Sequence, residues 1–335
     1  MSLLNNDFPV EALALNIYNP KVSVMIITYN QRHLIAETIG SVLTQDYDNF
    51  EIVVADDAST DGTREVILEL YNKYPNLIVP VLNEKNLGIT GNSNAAFFAC
   101  SGELVAVLGG DDLFLPGKLK AQVALFEDSN VVLSYHPVDI FNHADGTLIF
   151  RTNTTEKERI NNVYDLISKG GIPGASSVMV RRSACPAHGF DPLFPVVSDW
   201  IFYIEVALQG EIRELPGVYG KYRKHGLGAS DRTFELLQES LLTVDLIAKR
   251  YDHDPAIRDA CQQGGYRYLL GELFRQVVKK NKANVEALHP LFLKYSSGSK
   301  RTMTNLLFGI LRRPIIFNFV SGVLPRLKNA LKRQV

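Results

Sequence analysis

The feature that most constrains this chain is the alternation, over its first third, of short continuously apolar runs with stretches of helical periodicity. VSVMIITY (22–29) is β-branched and apolar on both sides, and Leu34, Ile35, Thr38, Ile39, Val42 and Leu43 then recur on one side of a helix. EIVVA (51–55), NLIVPVL (76–82) and ELVAVLG (103–109) repeat the strand signature, separated by ASTDGTREVILELYNKY and GNSNAAFFACS as helices. Strands with no polar face belong in a parallel sheet covered on both sides, so the alternation predicts an α/β, Rossmann-like fold with a mostly parallel sheet. In such sheets ligands bind beyond the carboxyl ends of the strands.

Further along, a helix is expected near Pro116, and 131–141 followed by the turn 143–146 and TLIF reads as a β-hairpin. A strand over 176–182, a helix over 199–210 closed by Gly210 and a last strand over 218–223 complete the α/β pattern. From about Asp231 the spacing is helical, which divides the chain into a domain over 1–230 and a helical region over 231–335. With 335 residues, 46% of them hydrophobic, the chain can bury a sizeable core, and a formal charge of −1 excludes a nucleic-acid binder driven by overall basicity. Cys100, Cys185 and Cys261 have neither metal nor redox spacing and read as reduced, buried thiols of a cytoplasmic protein. The segment MSLLNNDFPVEAL has no cationic start and predicts no secretory signal.

Two carboxylate pairs fall at strand ends. Asp56 and Asp57 follow EIVVA in the order D-D-x-S-x-D-G-T. Ser59 or Asp61 can cap the next helix, but two adjacent carboxylates repel unless a ligand or cation needs them. Asp111 and Asp112 follow ELVAVLG after Gly109 and Gly110, which would let a ligand approach the backbone; paired carboxylates suit a hard cation such as Mg²⁺ or Mn²⁺. Two acidic sites on one sheet edge are what a nucleoside diphosphate and its metal require. The dinucleotide-binding G-x-G-x-x-G and the P-loop are both absent, and the third strand ends in VLNEKN, without a receiver domain's pattern.

The order VSVMIITYN, VVADDASTDGT, NEKNLG, SGELVAVLGGDD, then SDW before a helix, resembles a family 2 glycosyltransferase of GT-A fold over about residues 21–228. The resemblance implies an inverting, metal-dependent enzyme that moves one sugar from a nucleoside diphosphate, a UDP-sugar by preference, to a glycan or lipid-linked saccharide in cell-surface polysaccharide synthesis. It places Thr28, Tyr29 and Asn30 along the nucleotide, Asp57 on the uracil, and Asn86, Gly88 and Asn94 near the donor. Gly110 and Asp111 match part of the D-x-D segment, whose first acid is missing here; Asp111 and Asp112 would hold the metal, with His225 of Tyr222-Arg223-Lys224-His225-Gly226 beside it. Ser93 stands where many relatives have an Arg. Asp199 matches the acid that acts as general base, although as a bare sequence feature it reads as an N-cap. Trp200 either packs in the core or stacks on the acceptor sugar. The processive members' Q-x-x-R-W and spanning helices are absent, which implies a single addition. A non-catalytic sugar-nucleotide or glycan-binding protein on the same fold is the alternative. A nucleotidyltransferase lacks support because no Gly-rich, Arg- and Lys-bearing loop follows the first strand.

The last segment has its own character. From 287 to 335 there are nine Lys or Arg and no Asp or Glu, which leaves 26 basic against 36 acidic residues before it. Lys294, Lys300, Arg301, Arg312, Arg313, Arg326, Lys328, Lys332 and Arg333 interleave with Leu, Ile, Phe and Val. That pattern predicts interfacial helices on an anionic bilayer, hence a peripheral protein on the inner face of the cell membrane, or else a packed helical subdomain with a basic face.

Overall fold

The structure is a computed structural model that describes residues 18–172, 174–226, 234 and 236–332, with side chains as far as Leu324. The elements run β1 (Val22–Thr28), α1 (Ile35–Leu43), β2 (Phe50–Asp56), α2 (Thr63–Lys73), β3 (Ile78–Leu82), α3 (Gly88–Ala99), β4 (Leu104–Gly109) and β5 (Leu113–Phe114). They continue as α4 (Lys118–Val123), β6 (Val131–Tyr135), β7 (Val138–Asn142), β8 (Leu148–Arg151), α5 (Val163–Lys169), β9 (Met179–Arg181), α6 (Ser198–Ala207), β10 (Glu211–Glu214) and β11 (Gly220–Lys224). Five helices follow: α7 (Leu237–Arg250), α8 (Pro255–Val278), α9 (Lys282–Lys294), α10 (Gly298–Leu311) and α11 (Pro314–Lys332).

Seven strands form one sheet in the order β10-β6-β9-β4-β1-β2-β3. β1 pairs in parallel with both β2 and β4, β2 with β3, and β10 with β6; only β9 runs antiparallel to its neighbours. Strand side chains alternate between faces, and in β1, β2, β4 and β6 both faces are buried. Val22, Val24 and Ile26 join a core with Ile35 and Ile39 of α1, whereas Met25 joins one with Phe97 of α3 and Ile201 of α6. Covering on both sides is why these strands lack a polar face.

A second sheet, β5-β11-β7-β8, stands beside the first. The expected hairpin is therefore only partly right: β7 and β8 pair antiparallel, but β6 belongs to the large sheet. The break falls at His136-Pro137, where proline has no N–H to give a ladder. The chain also changes sheets directly after β4, so the segment from Gly109 to Asp112 lies at the junction of the two.

The C-terminal helices pack on the α3, α5 and α6 face. Leu237, Val244, Leu269, Phe292, Phe308 and Phe317 share one apolar cluster with Leu166, Trp200 and Ile204. α8 lies so close to α5 that a Cβ on Gly264 would sit 2.4 Å from the Ile167 carbonyl oxygen. The boundary expected between 230 and 231 lies outside the described residues. Among those residues no single helix is long and apolar enough to cross a membrane. All three cysteines are free, and burial pushes each thiol up to about 12, which keeps them protonated and inert.

Candidate active site

The loops after β1 and β2 are laced together. Asn30 takes a left-handed φ of 52°; its N–H donates to Ser59 Oγ (2.8 Å), and its Oδ1 accepts from the Thr60 N–H (2.9 Å). Arg32 N–H donates to Asp61 Oδ2 at 3.0 Å, while Asp61 Oδ1 accepts from the Thr63 N–H and so closes the start of α2. Burial tends to raise the Asp61 pKa, but these hydrogen bonds outweigh it and hold it below the usual value. Thr28 is buried, donates to Gln31 Oε1 and accepts the Asp57 N–H, whereas Tyr29 next to it is half exposed.

The two carboxylates after β2 point to different partners. Asp56 is fully buried and pairs with Arg64 Nε at 2.7 Å. Asp57 receives the N–H groups of Leu87 (2.7 Å) and Gly88 (2.9 Å), the first donors of α3. A helix N-terminus favours such an anion, so the protein itself supplies both members with counter-charge, and no ligand is needed to explain the pair. Gly88 has φ +77°, and Asn86 Oδ1 accepts from its N–H at 3.1 Å. Asn94 does different work from the role expected of it. Its amide donates to Phe190 O and accepts from Phe190 N–H, both at 2.8 Å, so it fixes the segment before α6 rather than offering free groups to a donor. Asn92, which the sequence did not single out, ties Asn83 to the Ala55 and Thr28 carbonyls from a buried position.

At the junction of the sheets, Gly110 is needed by protein, not by a ligand. A Cβ there would lie 2.4 Å from Gln31 Oε1 and 2.7 Å from Thr28 Cβ. Gly109 is different: the place its Cβ would fill is 3.0 Å from Asp111 Oδ1 and 3.5 Å from Asp112 Oδ2. Two carboxylate oxygens thus converge on one point, and His225 Nε2 lies 2.7 Å from Asp111 Oδ2. Oxygen donors with one imidazole fit Mg²⁺ or Mn²⁺. The protein set is open, however, since among the described residues no three His, Cys, Asp or Glu side chains enclose a cation by themselves. Asp112 is 2% exposed; burial, then the charge of Asp111, raises its pKa well above the carboxylate range.

Arg223, unassigned by its sequence position alone, organises this corner. Its N–H donates to Asp112 Oδ1 (2.9 Å), its Nε to the Asp111 carbonyl (2.7 Å), and its guanidinium also reaches Glu37 of α1 at 2.7 Å and His143 at 3.2 Å. An Arg two residues before the expected His was the available signal; nothing marked Glu37.

Asp199 stands in the first turn of α6, where its Oδ1 accepts the Trp200 N–H (2.8 Å) and Val197 is the N-cap. Its side chain reaches solvent, yet the surrounding protein is dense enough that desolvation raises its pKa, more than the hydrogen bonds from Trp200 and its own backbone lower it. The turn is held from two sides. Thr90 of α3 donates to Ser198 Oγ at 2.7 Å, and Glu239 Oε2 of α7 accepts from the N–H groups of Val196 (3.0 Å) and Val197 (2.9 Å). Trp200 belongs to the core: it is 4% exposed, donates to Leu166 O and stacks on Tyr268.

The profile of Glycosyl transferase family 2 matches residues 23–185. An uncharacterized glycosyltransferase of Nostoc sp. is 32% identical over 71% of this chain and 76% of its own length. The UDP-Glc:alpha-D-GlcNAc-diphosphoundecaprenol beta-1,3-glucosyltransferase WfgD of Escherichia coli is 35% identical over 65% and 82%. Among solved structures, S. aureus TarS 1-349 in complex with UDP overlays with a TM-score of 0.60 at 18% identity, over 94% of this chain and 91% of that one. The mannosyltransferase PcManGT from Pyrobaculum calidifontis, in complex with GDP-Man and Mn2+, gives 0.59 at 18%, over 95% and 87%. These structures share the GT-A fold seen here, and the sequence relatives fix the lineage: the chain belongs to glycosyl transferase family 2.

Proposed function

We propose that the protein is an inverting, metal-dependent transferase that moves one sugar from a UDP-sugar to a lipid-linked saccharide in cell-surface polysaccharide synthesis, at the cytoplasmic face of the membrane. The observation that carries this reading is the position of Asp199. It is a solvent-reachable carboxylate of raised pKa, on a turn hydrogen-bonded to α3, the helix whose first N–H groups hold Asp57. In this arrangement Asp199 takes the proton of the acceptor hydroxyl as that oxygen bonds to the anomeric carbon. The bond from that carbon to the diphosphate breaks, and the configuration inverts. Tyr29 and Asn30, exposed after β1, line the nucleotide, with Thr28 and Asp57 buried beneath them and Asn86 and Gly88 shaping the Asp57 loop. Asp111, Asp112 and His225 are the residues that would hold Mn²⁺ or Mg²⁺, which when bound offsets the charge of the departing diphosphate. The lipid-linked acceptor is supported by the name of the Escherichia coli relative, and the UDP donor by the same name and by the TarS complex.

The test is Asp199→Asn assayed against a panel of UDP-sugars with Mn²⁺. Transfer should fall by about 10² to 10⁴, while the thermal shift caused by UDP stays as in the parent protein. Turnover near the parent rate would leave Asp199 as a helix-end residue only.

A further inference from the structure

Helices α10 and α11 each carry two apolar stripes, where a helix packed on a core and facing water needs one. On α10 the inner stripe is Thr304, Phe308 and Leu311, all buried, with Phe308 against the Phe292 ring at 5.3 Å. The outer stripe is Met303, Leu306 and Ile310, spaced three and four apart and 68%, 65% and 38% exposed. α11 repeats this: Phe317 is buried and Val320 and Leu324 pack against the same core, while Ile315 and Phe319 are 85% and 70% exposed. Packing accounts for the inner stripes and leaves the outer ones unexplained. The two axes meet at 98° across a short break, and Arg312 and Arg313 occupy that elbow. Lys300 and Arg301 are exposed on α10, and no acid occurs from 287 onward.

We propose that the α10–α11 elbow is an interfacial membrane anchor: Met303, Leu306, Ile310, Ile315 and Phe319 enter the boundary between headgroups and acyl chains of an anionic bilayer, and the four cations pair with lipid phosphates. This deepens the reading of a lipid-linked acceptor and rests on it for its purpose, not for its geometry. Apolar side chains ringed by cations and without acids complement an anionic lipid surface. A second copy of the chain is a poor occupant, because a two-fold contact through this face would bring the arginines of both elbows together. The anchor lies in the interface and does not span it. Among the described residues no single helix is long and apolar enough to cross; α10, at 14 residues, is about 21 Å long against a hydrocarbon core of about 30 Å, and the inner stripes are already used, α10 on α9 and α11 on α8.

The experiment is co-sedimentation of the full chain with vesicles of phosphatidylcholine alone and of phosphatidylcholine with phosphatidylglycerol, at low and high salt. Two double variants at exposed positions are compared with the parent, each with a melting curve to show that the fold is kept. Ile315→Ser with Phe319→Ser should lose about tenfold or more in partitioning on anionic vesicles at both salt concentrations. Arg312→Gln with Arg313→Gln should lose about tenfold at low salt and little at high salt, where screening has already removed the attraction. Parent-like binding by the apolar variant would overturn the anchor. So would concentration-dependent dimerisation without vesicles that the apolar variant abolishes, because the face would then be a self-contact. Vesicle binding needs no substrate, so its failure is separable from a failure of sugar transfer.

Discussion

Asp199 and Asp112 show how two carboxylates draw different chemistry from their surroundings. Asp112 is sealed between Gly109 and Arg223, and its raised pKa reflects burial beside a second acid. Asp199 is reachable from solvent but sits among enough protein to be raised by desolvation. In its proposed role Asp199 works deprotonated, so the raised value should move the acid limb of the rate profile above the pH of about 4 at which an ordinary aspartate ionises. The same shift costs stability as pH rises: between the unfolded and the folded pKa the native state holds a proton that the unfolded chain has released. Asp199→Asn removes that penalty, so near pH 7 its melting temperature should equal or exceed the parent's while transfer is lost, which a melting curve and a rate assay together check. Gly110 makes the opposite kind of prediction. Gly110→Ala places a methyl against Gln31 and the β-branched Thr28, which cannot rotate away, and should cost about 1–3 kcal/mol of stability in a denaturant titration. Gln31 can swing aside, so replacing it with Ser in the same chain should recover only part of that loss.

At the scale of elements, α3 links the Asp57 loop to the turn that carries Asp199. Its first N–H groups hold Asp57, its Thr90 holds Ser198, and its Asn94 holds Phe190, so a shift of this helix would move the Asp57 loop and the turn that carries Asp199 together. α7 completes the arrangement from the far end of the chain. Glu239 gathers two N–H groups that precede α6 and have no helical partner. Glu239→Ala should cost about 1.5–3 kcal/mol, the range for hydrogen bonds to a charged group. It should also lower the transfer rate with the donor KM unchanged, because the turn that loosens carries Asp199. Glu239→Gln keeps an acceptor oxygen and should restore most of both; equal losses in the two variants would make the residue's charge, not its position, the active quantity. What could be read from the sequence follows the same physics. β1, β2 and β4 were legible because a strand buried on both faces is a bare apolar run, and the edge strand β3 because its run is apolar although Val79 is 37% exposed. β5, with two residues, and β10, EIRE, were not, since nothing in so short or so charged a segment distinguishes a strand. The acids at the strand ends were legible as a set, but Arg223, which bonds Asp111 and Asp112, Glu37, which pairs with Arg223, and Glu239, which holds the Val196 and Val197 N–H groups, were not, because only the fold brings each to its partner.

For the whole molecule the question is whether the helical region can be taken from the sheet. Trp200 stacks on Tyr268 at 5.6 Å, Arg250 of α7 bonds to Glu205 of α6, and the apolar cluster runs without interruption from Phe97 to Phe317. Surface of that size, shared between the two regions, couples their unfolding. The chain should therefore melt in a single calorimetric transition whose van't Hoff and calorimetric enthalpies agree. The closest approach offers a way to test the coupling without truncation. At Gly264 an added methyl would meet the backbone of Ile167, which has no rotamer to change, so α8 must move off α5. Gly264→Ala should lower the single transition as a whole, by about 1–3 kcal/mol, and diminish transfer because Tyr268 and Trp200 lie on the displaced contact. If α8 instead melts in an early, separate step while UDP still protects the remaining transition, the helices and the sheet are independent bodies, and the turn that carries Asp199 is held by α3 alone.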